Sequence, residues 1–327
     1  MRVEQSTNAD TWNQIVNEFG GHPLQLWGWG EVKAAHGWRA ERFTIYGEGG
    51  GAIAGAQVLV KKLPKPFCEL LYIPRGPFGE AGQLDEAVRA LVAEIKKRHP
   101  KALQIIAEPD SELMDIKGWK RSDNTILIPR TLILDLCKSE DELKASMVKK
   151  TRQYINKSSR EALEVRDVTT KAELAKCLAI YRETAHRSQF ALHDDAYYYD
   201  VAQEMGQGSQ VFAAYHDGEP VAFLWLAVSD GVAFELYGGM NETGQRLRAN
   251  YMLKWHAIMA CKEAEVKRYD LNGLLNDGIS SFKQGFASHE TMLAGTYIYS
   301  LSPLSLVWEK VLPMARRVLR AIKKRRA

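Results

Sequence analysis

A chain of 327 residues with 46% apolar and 26% charged residues has the composition of a globular protein and is long enough for two domains. No run of 18 or more uncharged apolar residues occurs, and the N-terminal segment carries Glu4 and Asp10, so neither a membrane span nor an export signal is expected and a cytoplasmic setting is the default. The net charge of +4 is local: from Trp308 to Ala327 eight Lys or Arg oppose Glu309 alone, a balance of +7 that leaves about −3 elsewhere and suggests a polyanionic partner for the tail.

Residues 10–19 carry Trp12, Ile15, Val16 and Phe19 at helical spacing. After the Gly20-Gly21 break, Trp27, Trp29 and Trp38 are packing residues, and Lys33, one helical turn past Trp29, is the polar residue of interest. Strand patterns follow at 40–46, 52–61 and 69–73, with a glycine-rich hairpin tip at Gly47–Gly51, and the third strand ends in the rigid turn Pro74-Arg75-Gly76-Pro77. An amphipathic helix over 84–98 and a buried strand over 102–107, ending at Glu108-Pro109, complete an α/β unit with a mixed sheet.

Residues 131–136 read as a further strand. From Lys144 to Arg160 there are then six basic residues and no acid, either a solvated helix face or a phosphate-contacting one. Beyond Val165 the element order begins again: helices over 171–187 and 194–205, strands over 211–215, 220–229 and 232–237, a helix over 246–265 and a strand over 268–271, with Asp217-Gly218 as a hairpin turn. Two similar α/β units joined by a basic linker are expected, with a cleft between them as the default site.

Several chemistries are disfavoured. The four cysteines (Cys68, Cys137, Cys177, Cys261) form no C-x-x-C pair and have no histidine at ligand spacing, so a structural zinc and a disulfide framework are not expected and core thiols are. There is no G-x-S-x-G elbow, P-loop or G-x-G-x-x-G fingerprint. Acetyl-CoA-dependent N-acyltransferases share this strand-then-helix pattern, but Gln245–Asn250, where such enzymes hold pyrophosphate on glycine amides, has no glycine.

What remains is a stretch near the end. Tyr269-Asp270-Leu271-Asn272-Gly273 runs through a loop into Phe282-Lys283-Gln284-Gly285-Phe286, which delivers a lysine between two aromatics. In a partly apolar setting its charge acts more strongly on a neighbouring oxygen anion, although a lysine whose stem merely covers an apolar rim has the same pattern.

Leu24-Gln25 with Trp29 and Lys33, the Tyr72–Pro77 turn, Lys149-Lys150-Thr151-Arg152, Glu235-Leu236-Tyr237-Gly238, Arg246 through Trp255 and the Tyr269–Phe286 stretch together resemble the FemABX family of peptidoglycan-bridge aminoacyltransferases, in order and over nearly the whole chain. The resemblance implies an α/β fold of two GNAT-like domains with mixed sheets, here 1–133 plus 300–327, with a returning C-terminal helix, and 134–299, opening on the basic linker. It implies an armless member that moves an amino acid from aminoacyl-tRNA onto the side-chain amine of a peptidoglycan precursor, lipid II or UDP-MurNAc-pentapeptide, without metal or prosthetic group.

Residue by residue, Lys283 matches the family's catalytic lysine and Phe282 the aromatic before it. Lys33 matches a phosphate-contacting lysine, Tyr197 and Tyr237 match channel tyrosines, and Glu108 matches a strand-end acid. Arg75 belongs to the matched turn. The family's phosphate-binding arginine falls on His193, a conditional cation, with Arg187 as a substitute. Asp270 either holds the incoming amine or buttresses the loop. Lys149, Lys150 and Arg152 in the linker and Arg316, Arg317 and Arg320 in the tail are the expected tRNA contacts, the tail serving alternatively as a peripheral contact with the anionic inner leaflet of the membrane. The competing readings are a GNAT-fold N-acyltransferase with another donor, such as acyl-CoA, and a non-catalytic RNA- or membrane-binding module.

Overall fold

The computed structural model describes residues 1–275 and 278–311. The chain divides into two compact units: Met1–Ile15, Gly37–Pro129 and the described residues from Leu293 onward form the first, and Val16–His36 with Arg130–Met292 form the second.

In the first unit, strands Arg2–Gln5, Arg39–Tyr46, Ala52–Lys62 and Glu69–Pro74 form an antiparallel run, and the helix Leu84–Arg98 crosses over to place Ala102–Glu108 parallel to Glu69–Pro74. Thr296–Ser300 then inserts antiparallel between Ala102–Glu108 and Trp119–Ser122, so the late chain supplies a central strand of this sheet. The crossover helix keeps its register through Ala87, Val88, Leu91, Val92 and Ile95, one stripe at helical spacing that is buried on the sheet.

The second unit repeats this plan. Glu164–Asp167, Ser209–His216, Glu219–Val228 and Val232–Met240 are antiparallel neighbours, and the helix Ala249–Glu263 crosses over to Arg268–Asp270, parallel to Val232–Met240 and followed in the sheet by Ile133–Asp135. Asp217 and Gly218, both at positive φ, make the two-residue hairpin their sequence indicates. Ala249, Leu253, Ala257, Ile258 and Cys261 seat the crossover helix on the sheet.

Three local expectations change. The helix read over 246–265 is two helices, Glu242–Leu247 and Ala249–Glu263, separated by Arg248 at φ 54°, a left-handed conformation that an arginine gives no sequence sign of. The strand read over 131–136 is split: Arg130–Thr131 pairs with Thr291–Met292, and Ile133–Asp135 joins the main sheet. Of the four cysteines, Cys177 and Cys261 are core thiols, pushed up to about 12 by burial, whereas Cys68 is half-buried and Cys137 exposed.

One irregularity prepares the site. Trp225 pairs with Tyr237 but Leu226 with Glu235, so Leu236 is an extra residue in its strand. Such a bulge re-aims side chains, and Glu235 through Met240 all line one cavity.

Candidate active site

A cavity of about 570 Å³ lies within the second unit and is lined throughout by its residues. One wall is aromatic, with Tyr181, Phe190, Phe223 and Tyr237, and the polar groups that converge on it include Arg187, Glu235, Lys254, Asn272 and Lys283.

Lys283 ends the short helix Gly278–Lys283. Its ammonium is half-buried and donates to the carbonyls of Asn272 and Gly273, both at 3.3 Å. Phe282 and Phe286 meet edge to face at 5.3 Å, and Tyr251 packs against Phe282 at 4.9 Å. The loop is anchored from the other side: Val148 N–H donates to the Gly285 carbonyl at 3.0 Å, and a Cβ on Gly285 would lie 2.3 Å from Thr151 Oγ1. The start of the basic helix Lys149–Ser158 thus approaches the lysine-bearing loop so closely that a side chain at 285 would have to displace the Thr151 hydroxyl.

Asp270 is fully buried and is not part of the cavity wall. Its Oδ1 accepts from Thr131 Oγ1 and from Asn272 N–H at 2.8 Å. Asn272 sits at φ 62° and donates its side-chain amide to the Glu235 main-chain carbonyl at 2.8 Å, while its own carbonyl takes Lys283. Asp270 is thus tied to the turn whose carbonyls hold the lysine.

A second cluster joins the cavity through Tyr237. Lys33, on the helix Trp27–Ala35, lies 4.3 Å over the Trp29 ring and donates to Tyr197 Oη at 2.7 Å. The Tyr237 hydroxyl lies near that of Tyr197, and the two influence each other's proton affinity. Burial lowers Lys33 to about 8. His193 stacks on Tyr197 with ring centroids 3.9 Å apart, and burial, followed by the positive charges of Lys33 and His36, holds it below the ordinary histidine value. The histidine in the expected arginine position is therefore a ring stacked on Tyr197 whose proton affinity is lowered. Arg187 lines the cavity and donates to the Met240 carbonyl at 2.9 Å.

The remaining expected residues are not among those lining this cavity. Glu108 and Arg75 are buried in the first unit. Glu108 accepts from Tyr72 Oη and Thr296 Oγ1, each at 2.6 Å, and from the N–H groups of Ile126 and Leu127, so its oxygens are committed to holding the fold. Arg75 adopts φ 48° and donates to the Ile128 carbonyl at 3.4 Å. Lys149 and Lys150 are exposed, while Arg152 donates to the Met147 and Lys144 carbonyls at 2.6 and 3.1 Å. Arg316, Arg317 and Arg320 lie outside the described residues. No described helix is long and apolar enough to cross a membrane.

Sequence reasoning gave no role to Glu235, Lys254 or Tyr269. The Lys254 ammonium pairs with Glu235 Oε1, which also accepts from Tyr269 Oη at 2.9 Å, and the charged side chains are only 5% and 7% exposed. Glu235 and Lys254 are 19 residues apart on a strand and a helix, so no local spacing connects them.

Residues 6–129 match the model of the FemAB family, and residues 145–284 that of an acetyltransferase (GNAT) domain. The lipid II:glycine glycyltransferase of Staphylococcus aureus is 28% identical over 286 residues, covering 79% of this chain; the chain spans about three-fifths of that relative's length, 61%. Among solved structures, FemX superposes with a TM-score of 0.84 at 19% identity, over 94% of this chain and 100% of that one. The L-PGS structure from Bacillus licheniformis does so with 0.58 at 13% identity, over 95% and 98%. These likenesses establish two GNAT-like α/β units with mixed sheets.

Proposed function

The chain belongs to the FemABX family, and from that premise we propose that it is an aminoacyltransferase extending the stem peptide of a peptidoglycan precursor, with aminoacyl-tRNA as donor. The observation that carries this reading is the Lys283 ammonium on the wall of a cavity with one aromatic face, held by the Asn272 and Gly273 carbonyls.

An aminoacyl ester is already activated. The protein's task is to bring a neutral amine to it and to stabilise the oxygen that becomes negative on attack. Lys283 is the oxyanion stabiliser. It needs no proton transfer for this, and the phenyl rings keep its charge from being screened. Phe282 shapes the same wall, and Asp270 holds the Asn272 turn. Tyr237 and Tyr197 lead from the cavity to Lys33, which takes the acceptor's phosphates, with Arg187 beside the path. Lys149 and Lys150 contact the tRNA backbone, at the helix clamped to the Lys283 loop.

A coenzyme A donor is the competing reading, and the turn before the second crossover helix argues against it. GNAT enzymes cradle pyrophosphate on open backbone amides at such a helix start. Here that place is occupied by the helix Glu242–Leu247 and by Arg248, whose guanidinium lies 4.6 Å over the Tyr154 ring. The test is a transfer assay with a panel of charged tRNAs and, separately, acyl-CoA, against lipid II and UDP-MurNAc-pentapeptide, read by mass spectrometry. Ribonuclease-sensitive addition of one amino acid is expected; acylation from coenzyme A alone would refute the reading.

The acceptor grip has a pH signature. Lys33 is cationic well below about 8 and loses its charge as pH rises through that value. The acceptor KM is therefore expected to climb between pH 7 and 9 with kcat little changed, and Lys33→Arg, which cannot deprotonate in this range, to flatten the rise. A wild-type KM constant across that interval would remove Lys33 from phosphate binding.

A further inference from the structure

The Glu235–Lys254 pair is costly for a structural device. Desolvating two charges carries a large penalty before any attraction is counted, and apolar side chains of similar volume commonly stabilise such a position as well or better. Its placement suggests what it is kept for. Lys254 lies 5.3 and 5.8 Å from the rings of Phe282 and Phe286, the phenylalanines that bracket Lys283 in the sequence. Glu235 is one residue removed from Lys283 through Asn272, which bonds to both.

Both donors to the Glu235 carboxylate use Oε1, and among the described residues none donates to Oε2. Glu235 is also the one carboxylate among the described lining residues, facing Arg187, Lys254 and Lys283. Three cations disfavour the protonated form of an amine that enters the cavity. They also leave a single base to receive the proton that the nitrogen sheds when it forms a bond.

Resting on the aminoacyl-transfer reading above, we propose that Glu235 Oε2 is the subsite for the acceptor's primary amine and the proton carrier of the reaction, with Lys254 and Tyr269 as positioning residues that fix the carboxylate through Oε1. The neutral amine's lone pair forms the C–N bond, and the carbonyl pair moves onto the oxygen facing Lys283. Glu235 removes one proton from the nitrogen as it becomes positive. Collapse restores C=O and breaks the ester C–O bond, and the departing ribose oxygen takes that proton from Glu235. One proton leaves nitrogen, one arrives on oxygen, and the carboxylate ends as it began.

The experiment compares Glu235→Gln, Lys254→Met and the double variant with wild type in full-length protein, measuring Tm and single-turnover transfer from the aminoacyl-tRNA that wild type accepts. Each single variant leaves an unpaired buried polar or charged group and loses stability; the double variant removes both charges and recovers wild-type Tm. Its transfer rate is expected to stay about 10²- to 10⁴-fold down. In Glu235→Ala/Lys254→Met, added formate is expected to restore part of the rate, a response that a merely structural pair would not give. Recovery of both Tm and rate in Glu235→Gln/Lys254→Met would overturn the proposal, as would formate without effect on a folded Glu235→Ala/Lys254→Met. A wild-type chain that transfers nothing from any aminoacyl-tRNA would instead overturn the reading beneath it, and this inference with it.

Discussion

Lys283→Met is expected to lower single-turnover aminoacyl transfer by about 10²- to 10³-fold, the usual cost of deleting one preorganised oxyanion donor, with Tm nearly unchanged. Methionine keeps an unbranched stem of similar length and removes only the ammonium. Asn272, one of the two residues whose carbonyls lose their partner, lines a cavity of about 570 Å³, wide enough for water to replace the ammonium, so the structural penalty is small. The measurement is a rapid-quench assay at saturating acceptor beside thermal unfolding. A variant that folds and transfers at the wild-type rate would take Lys283 out of the chemistry; one that unfolds would mean that the ammonium acts as a structural clasp.

Gly28→Ala is expected to be the most damaging single-methyl change in the second unit. The new Cβ would lie 2.1 Å from the Glu204 carbonyl oxygen, 2.7 Å from its carbon and 2.8 Å from Met205 Cα. These are backbone atoms, so no rotamer change relieves the clash. The helix Trp27–Ala35 must move off Asp195–Met205, at a cost of about 1–3 kcal/mol and occasionally more. The same two helices carry Lys33 and Tyr197, joined at 2.7 Å, and His36, just past the end of the first, joins Asp200 on the second at 2.8 Å. Binding should therefore suffer along with stability: the acceptor KM rises several-fold while kcat, set around Lys283, falls less. Gly82→Ala is the control, since nothing lies within 4 Å of a Cβ there. Equal Tm for the two variants would show that the helix contact is looser than its geometry.

Much of the architecture can be read from local pattern because the forces that set it act locally. The helix over 84–98 is visible in sequence because its buried stripe repeats every three or four residues, and the Asp217-Gly218 turn because φ > 0 selects those residue types. The break at Arg248 is not visible, since a left-handed arginine is imposed by the helices on either side of it. Edge and inserted strands are equally silent. Arg2–Gln5 and Thr296–Ser300 are four and five residues long, too short for their alternation to stand out, and what makes them strands is the partner chain.

The candidate site divides in the same way. Lys283 between its phenylalanines is a sequence neighbourhood, and so is Lys33 one turn from Trp29. The residues alone thus fixed an α/β chain in two similar halves, one lysine in an aromatic bracket, and a resemblance that spans the chain. Tertiary structure decided the rest: that Asp270 is buried off the cavity wall, that His193 stacks on Tyr197, that Arg152 donates to main-chain carbonyls, and that Glu235 meets Lys254. The reason is one of range. Helical and strand periodicity is written within a few residues, whereas burial, ion pairing and the proton affinity of a side chain depend on what the fold brings near it from tens of residues away.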